Sequence, residues 1–181
     1  MTVAILGGVF DPPHFGHVAL ARAALEQLGA DRLLVLVAER PGHKEVVADA
    51  GTRARLAELA LGHLGEVRLD GHAYTVDLLR DEEFDEAVFV MGADEWAAFG
   101  TWKEPDEVRR LIRLAVAARP GTAEPEGDVE VLSIEPLPIS SSQVRQRVSA
   151  SESIADLVPK EVAREIERRG IYRNPPSPDG G

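Results

Sequence analysis

The chain has 181 residues, 44% of them hydrophobic and 28% charged, which is enough for one ordinary domain with a sizeable core. Its formal net charge of −11 argues against a protein that grips long nucleic acid, because such binding needs many cations set against phosphates. Zero cysteines exclude disulfides and thiolate metal sites, and no apolar run approaches the roughly 18 residues that cross a bilayer. With no signal-peptide pattern at the N-terminus, a cytoplasmic protein without a membrane or nucleic-acid partner is expected.

Apolar, β-rich runs alternate along the chain with longer stretches of helical spacing. Residues 3–6, 33–38, 67–69, 87–91, 114–118 and 129–134 read as strands, most of them without the polar alternation of a half-exposed sheet. Residues 18–28 place Leu20, Ala24, Leu25 and Leu28 on one helical face and end at Gly29, a C-cap signal. Residues 52–64 repeat the pattern with Leu56, Leu59, Ala60 and Leu64. A last helix starts at Pro159, runs through Val162 and Ile166, and stops at Gly170. Residues 119–128 read as a surface loop, and the Pro/Gly-rich 174–181 as a disordered tail after a single domain, 1–173. The alternation predicts an α/β fold, a Rossmann-like doubly wound parallel sheet with its ligand site beyond the carboxyl ends of the strands.

The loop after the first strand is Gly7-Gly8-Val9-Phe10-Asp11-Pro12-Pro13-His14-Phe15-Gly16-His17. Paired glycines permit a sharp turn and a close ligand approach, and Asp11 before two prolines resembles a capped helix start. The positive end of that helix suits a phosphate. His14 and His17, three residues apart, share a helical face, and two imidazoles aimed at one anion can stabilise a transferring phosphoryl group. Alone, such a pair more often marks an idle turn or a metal site, but its place after a strand and a glycine pair favours phosphate. A second anion cradle is suggested by Ile139-Ser140-Ser141-Ser142-Gln143-Val144-Arg145, where serine hydroxyls open a helix and Arg145 stands one turn in.

The segment GGVFDPPHFGH resembles the GGxFDPxHxGH signature of the HxGH-type nucleotidyltransferases, and most closely that of the bacterial nicotinate mononucleotide adenylyltransferases. Residues 139–145 resemble the ISSTxIR motif of that family, with Ser142 where threonine is usual. Gly92-Ala93-Asp94 resembles its GAD segment, Trp102-Lys103 its TWK, Tyr74-Thr75-Val76-Asp77 its YTxDT (with Leu78 in place of the second threonine), Pro41-Gly42-His43-Lys44 its PPHK (with Gly42 for proline), and Arg119-Pro120-Gly121 its RPG. The resemblance implies AMP transfer from ATP, accompanied by Mg²⁺, to nicotinate mononucleotide in NAD biosynthesis. It assigns catalysis to His14, His17, Arg145 and Lys44. It assigns ATP binding to Gly7, Gly8, Phe10, His14, His17, Gly92, Asp94, Ile139, Ser141, Ser142 and Arg145, and mononucleotide binding to Tyr74, Thr75, Trp102, Lys44 and Arg119. No protein-held metal is implied, and a homo-oligomer is compatible with everything above.

Three other readings stand beside it. The acceptor is the amidated mononucleotide or phosphopantetheine, although the phosphopantetheine enzymes usually have Thr at the position of His14 and Lys at that of Arg145. Alternatively, the chain is a non-catalytic nucleotide-binding module. A dehydrogenase is set aside because the first loop lacks GxGxxG spacing.

Overall fold

The computed structural model describes residues 1–42, 45–118, 125, 127–135 and 137–173. The expected loop at 119–128 and the tail at 174–181 lie largely or wholly outside them, as do His43, Lys44 and Arg119. Six parallel strands form one sheet: β1 (Thr2–Gly8), β2 (Arg32–Ala38), β3 (Glu66–Asp70), β4 (Glu86–Gly92), β5 (Arg113–Ala118) and β6 (Glu130–Ser133), in the order β3-β2-β1-β4-β5-β6. All six coincide with the runs expected from the sequence. The chain winds outward from β1 in both directions, so the order reverses between β1 and β4. A crevice opens at such a reversal beyond the strand ends.

Alternation along each strand accounts for the uninterrupted apolar runs. Ala4 and Leu6, Val35 and Val37, Val88 and Val90, and Ala115 and Ala117 face one core, against α1 (Phe15–Gln27), α2 (Ala50–Leu61), α6 (Ser141–Ser149) and α7 (Lys160–Arg169). Ile5, Leu34, Leu36, Phe89, Met91, Leu114 and Val116 face the other, against α3 (Thr75–Asp81), α5 (Pro105–Leu111) and Phe99. With both faces covered, the central strands are apolar beyond their first residues, each large buried side chain contributing about 1.5–3 kcal/mol. Short α4 (Ala93–Ala98) and a 3₁₀ turn (Phe99–Thr101) complete the crossover from β4 to α5.

Two helix starts differ from expectation. Residue 52 is inside α2, because the Asp49 carboxylate accepts the Thr52 N–H at 2.8 Å and starts the helix at Ala50. Asp11 does not cap α1; His14 does, and Asp11 is engaged elsewhere.

Candidate active site

The two histidines form a reciprocal cap. His14 Nδ1 accepts the Gly16 N–H at 3.1 Å, and His17 Nδ1 accepts the His14 N–H at 3.1 Å. This is a capping box with imidazoles in place of hydroxyl and carboxylate. Each Nδ1 is therefore a lone-pair acceptor, and a neutral ring must carry its proton on Nε2. The rings lie 3.9 Å apart between centroids, too close for both to be charged at little cost. Burial lowers the pKa of His14 to about 4, so it is neutral at pH 7. The cap thus fixes the tautomer that donates from Nε2, as a phosphate site requires.

The loop preceding the cap is held from several sides. Gly7 and Gly8 have no room for a side chain, since a Cβ would lie 2.9 Å from the Phe89 ring at Gly7 and 2.9 Å from the Phe10 ring at Gly8. Phe10 is only 1% exposed and takes φ +54°, a left-handed conformation that costs a non-glycine residue about 1–2 kcal/mol. Its ring packs on His17 at 4.9 Å, and that burial maintains the strain.

Beneath the loop lie residues that sequence reasoning missed. Arg53 is 1% exposed and donates to the carbonyls of Ala48 (3.0 Å), Val9 (2.9 Å), Ala38 (2.7 Å) and Glu39 (3.3 Å), joining the ends of β1 and β2 to the start of α2. The available signal was its spacing, because position 53 shares a helical stripe with the buried Leu56, Ala57 and Ala60. Asp11 accepts from the backbone of Val47 (2.7 Å) and Ala48 (3.1 Å) and from the Tyr172 hydroxyl (2.7 Å). Burial, then the bond to Asp11, pushes the Tyr172 phenol well above its ordinary pKa, so it remains a donor. The chain thereby ends its last helix by latching onto the motif loop.

The serine turn meets this loop directly. Ser140 caps α6 through the Gln143 N–H, Ser141 Oγ donates to Pro12 O at 2.8 Å, and Arg145 donates to Asp11 O at 2.7 Å and to Ser142 Oγ at 3.2 Å. A guanidinium has five N–H donors, so these bonds orient the fork and leave donors for an anion. One cavity of about 520 Å³ is lined by Gly7, Gly8, Phe10, His14, His17, Gly92, Asp94, Ile139, Ser141, Ser142 and Arg145. Both elements expected to cradle an anion therefore face one cleft. Asp94 does not cap α4, whose N-cap is Gly92; it lies in the first turn, on the cleft wall.

A second cavity, of about 360 Å³, opens on the β2–β3 side. Tyr74, Thr75, Leu78, Phe89 and Trp102 give it an aromatic and apolar wall, with Arg40, His72 and Lys103 among its charged groups. Trp102 is fixed by an edge contact to Phe89 (5.9 Å) and a tilted one to Phe99 (5.2 Å). Leu78, the departure from the family pattern, is 1% exposed and serves as floor. Gly7, Gly8, Val9 and Glu95 line both cavities, so the two are chambers of one crevice meeting over the end of β1. The roles expected of Lys44 and Arg119 lie outside the described residues.

Comparison with known proteins follows the same outline. A model of the cytidylyltransferase-like family matches residues 5–147. A Thermus thermophilus protein that bears the name probable nicotinate-nucleotide adenylyltransferase is 37% identical, over 96% of this chain and 100% of its own length. One of the same name from Bordetella petrii is 36% identical, over 94% of this chain and 98% of its own. Among solved structures, a nicotinic acid mononucleotide adenylyltransferase of Plasmodium falciparum, complexed with NaAD, superposes with a TM-score of 0.75 over 94% of this chain and 97% of its own, at 16% identity. That last likeness is one of fold.

Proposed function

The chain belongs to the cytidylyltransferase-like family and, within it, to the nicotinate-nucleotide adenylyltransferases, and from that premise we propose how its two chambers join AMP from ATP to the phosphate of nicotinate mononucleotide. The products are deamido-NAD and pyrophosphate. ATP occupies the chamber of the histidines and the serine turn, and the mononucleotide occupies the chamber of Tyr74, Thr75 and Trp102. The observation that carries this reading is their shared boundary. Gly7, Gly8 and Val9 are common to both linings, so the two substrates abut where the strand order reverses.

An oxygen of the acceptor phosphate attacks the α-phosphorus of ATP. A bond forms there, the bond from that phosphorus to the bridging oxygen breaks, and its electron pair leaves on pyrophosphate. The attacking phosphate is already largely dianionic at neutral pH, its second pKa being about 6, so no strong base is needed. The enzyme has to align two polyanions and offset their repulsion. His14 and His17 do this as Nε2–H donors to the reacting phosphate, at a site where no water need reorganise. Ser141, Ser142 and Arg145 hold the leaving phosphates, Asp94 the nucleoside, and Trp102 the pyridine ring. Lys44 and Arg119, outside the described residues, are assigned to the phosphates and to the acceptor respectively.

ATP enters as its magnesium complex. The ion is read as part of the substrate, carried on phosphate oxygens and water. The direct test is incubation with ATP and Mg²⁺ plus nicotinate mononucleotide, its amide or phosphopantetheine in turn. The expected product has the mass of deamido-NAD and forms with stoichiometric pyrophosphate. Turnover of phosphopantetheine alone, or nucleotide binding with no pyrophosphate, would sink the proposal.

A further inference from the structure

His72, in the turn between β3 and α3, stands on the wall of the mononucleotide chamber, and the reaction as derived gives it no task. Its ring lies between two carboxylates, with Nδ1 2.6 Å from Asp70 Oδ1 and Nε2 3.2 Å from Asp81 Oδ2. A carboxylate only accepts, so a ring nitrogen facing one must carry a proton, and a ring facing two must carry both. Neutral imidazole has one such proton. The geometry is satisfied by imidazolium alone.

The clamp cannot relax easily, because the backbone N–H of His72 also donates to Asp70 Oδ1 at 3.0 Å. Hydrogen bonding to Asp70 leads the causes that raise the pKa of His72 above its ordinary value. The ring therefore keeps its second proton to higher pH than an ordinary imidazole does, and loses it as pH rises through that raised value. Other charges face the same space. Arg40, Glu95 and Lys103 line the chamber, Lys103 bound to Asp77 at 2.8 Å, and Glu39 Oε2 lies beside Gly71 next to the turn. Protonated, His72 offsets one of the two negative charges of Asp70 and Asp81; without its proton the wall carries both.

We infer that His72 is a specificity-determining residue of this chamber, its imidazolium clamped between Asp70 and Asp81 to favour acceptors whose ring carries a carboxylate over those whose ring carries a neutral amide. The inference rests on the acceptor reading proposed above. Both acceptors share the ribose phosphate, so every phosphate contact cancels in the ratio of their kcat/KM values. The ring charge does not cancel.

The test is that ratio, measured from pH 7 to 9 for the wild type, His72→Gln and His72→Lys. In the wild type the acid-over-amide preference falls roughly tenfold as His72 deprotonates, the effect of removing one charge near the chamber wall. In His72→Gln it is low and flat; in His72→Lys it stays high to pH 9. The KM for ATP is the same in all three, and the NMR titration of the His72 ring follows the wild-type ratio. If the Gln variant does not fold, the Lys variant at pH 9 decides. A Gln or Lys variant with the wild-type ratio and pH profile overturns the inference, as does an NMR spectrum showing His72 neutral at pH 7. Failure of the wild type to turn over either acceptor overturns the adenylyl-transfer reading, and this inference with it.

Discussion

The two chambers are built in opposite ways from one sheet. The chamber proposed for ATP takes most of its groups from two contiguous stretches, 7–17 and 139–145, with Gly92 and Asp94 added from the end of β4, and the side chains of those two stretches are oriented chiefly by backbone: imidazoles by the N–H groups of Gly16 and His14, Arg145 by the carbonyl of Asp11. The chamber proposed for the mononucleotide gathers single residues from β2, the turn after β3, α3 and the turn after α4, held by ring packing and by ion pairs such as Lys103 with Asp77. Phosphate chemistry is common to any adenylyl transfer and needs donors fixed before the substrate arrives. Acceptor identity is a matter of shape and charge, which scattered side chains can tune without disturbing the cradle.

The sharpest way to break that division is His17→Ala. Loss of an oriented donor to the transferring phosphoryl group lowers kcat by roughly 10²-fold or more. The loss should be equal for acid and amide acceptors, since the donor sits on the ATP side. His14→Ala behaves likewise, and it also removes the side-chain acceptor for Gly16 N–H. Steady-state kinetics on folded variants checks both. Unimpaired turnover, or a loss confined to one acceptor, would erase the distinction between the chambers.

Acid sharpens the comparison further. The folded pKa of His14 lies near 4 against an ordinary 6.5, so the unfolded chain takes up this proton first. Stability tied to the neutral ring is fully present above pH 6.5 and is lost as pH falls through 4, by about 3 kcal/mol in total. His72 has the opposite sign: its pKa is raised, and the stability it brings is lost as pH rises through the raised value. Thermal melts from pH 7 to 4 should show a smaller fall for His14→Asn than for the wild type. Parallel curves would mean that the His14 ring is not buried neutral.

How much of this could be read in the sequence follows from the same contrast. The doubly wound fold was legible because apolar runs covered on both faces leave no polar alternation, and because Gly170 stops the last helix where the pattern fades. That residues 7–17 and 139–145 share a cleft was legible because the parts of each motif are adjacent in the chain. Arg53, Tyr172 and His72 were not, because their partners are backbone carbonyls or carboxylates whose proximity arises only when the sheet forms. Asp11 illustrates the limit. Its position before two prolines reads as a cap, but the buried loop offers it two N–H groups and a phenol, a stronger set than one helix N–H.

On the mononucleotide side, Trp102→Ala should raise the KM for the acceptor about tenfold, the lower part of the range for losing one stacked base. The KM for ATP should not change, because Trp102 lines only the acceptor chamber of the two. Trp102→Phe, which retains a ring, should recover most of the affinity. A Trp102→Ala variant that weakens ATP and acceptor equally would show that the aromatic cluster supports the whole crevice instead of one half of it.

The smallest effect tests the element both halves share. Tyr172→Phe keeps the buried ring but removes the hydroxyl from Asp11, leaving the carboxylate with two of its three donors. The expected cost is about 1 kcal/mol in urea unfolding, the net worth of one hydrogen bond. Because Asp11 holds Arg145 through its carbonyl and the 47–48 segment through its carboxylate, the lost bond should act through loop position. A change in kcat of less than about threefold, a small stability effect passed on through the shared loop, should then be the same for acid and amide acceptors. A selective change would place the latch in the service of the mononucleotide chamber, and no loss of stability would mean that Asp11 is fully satisfied by Val47 and Ala48 alone.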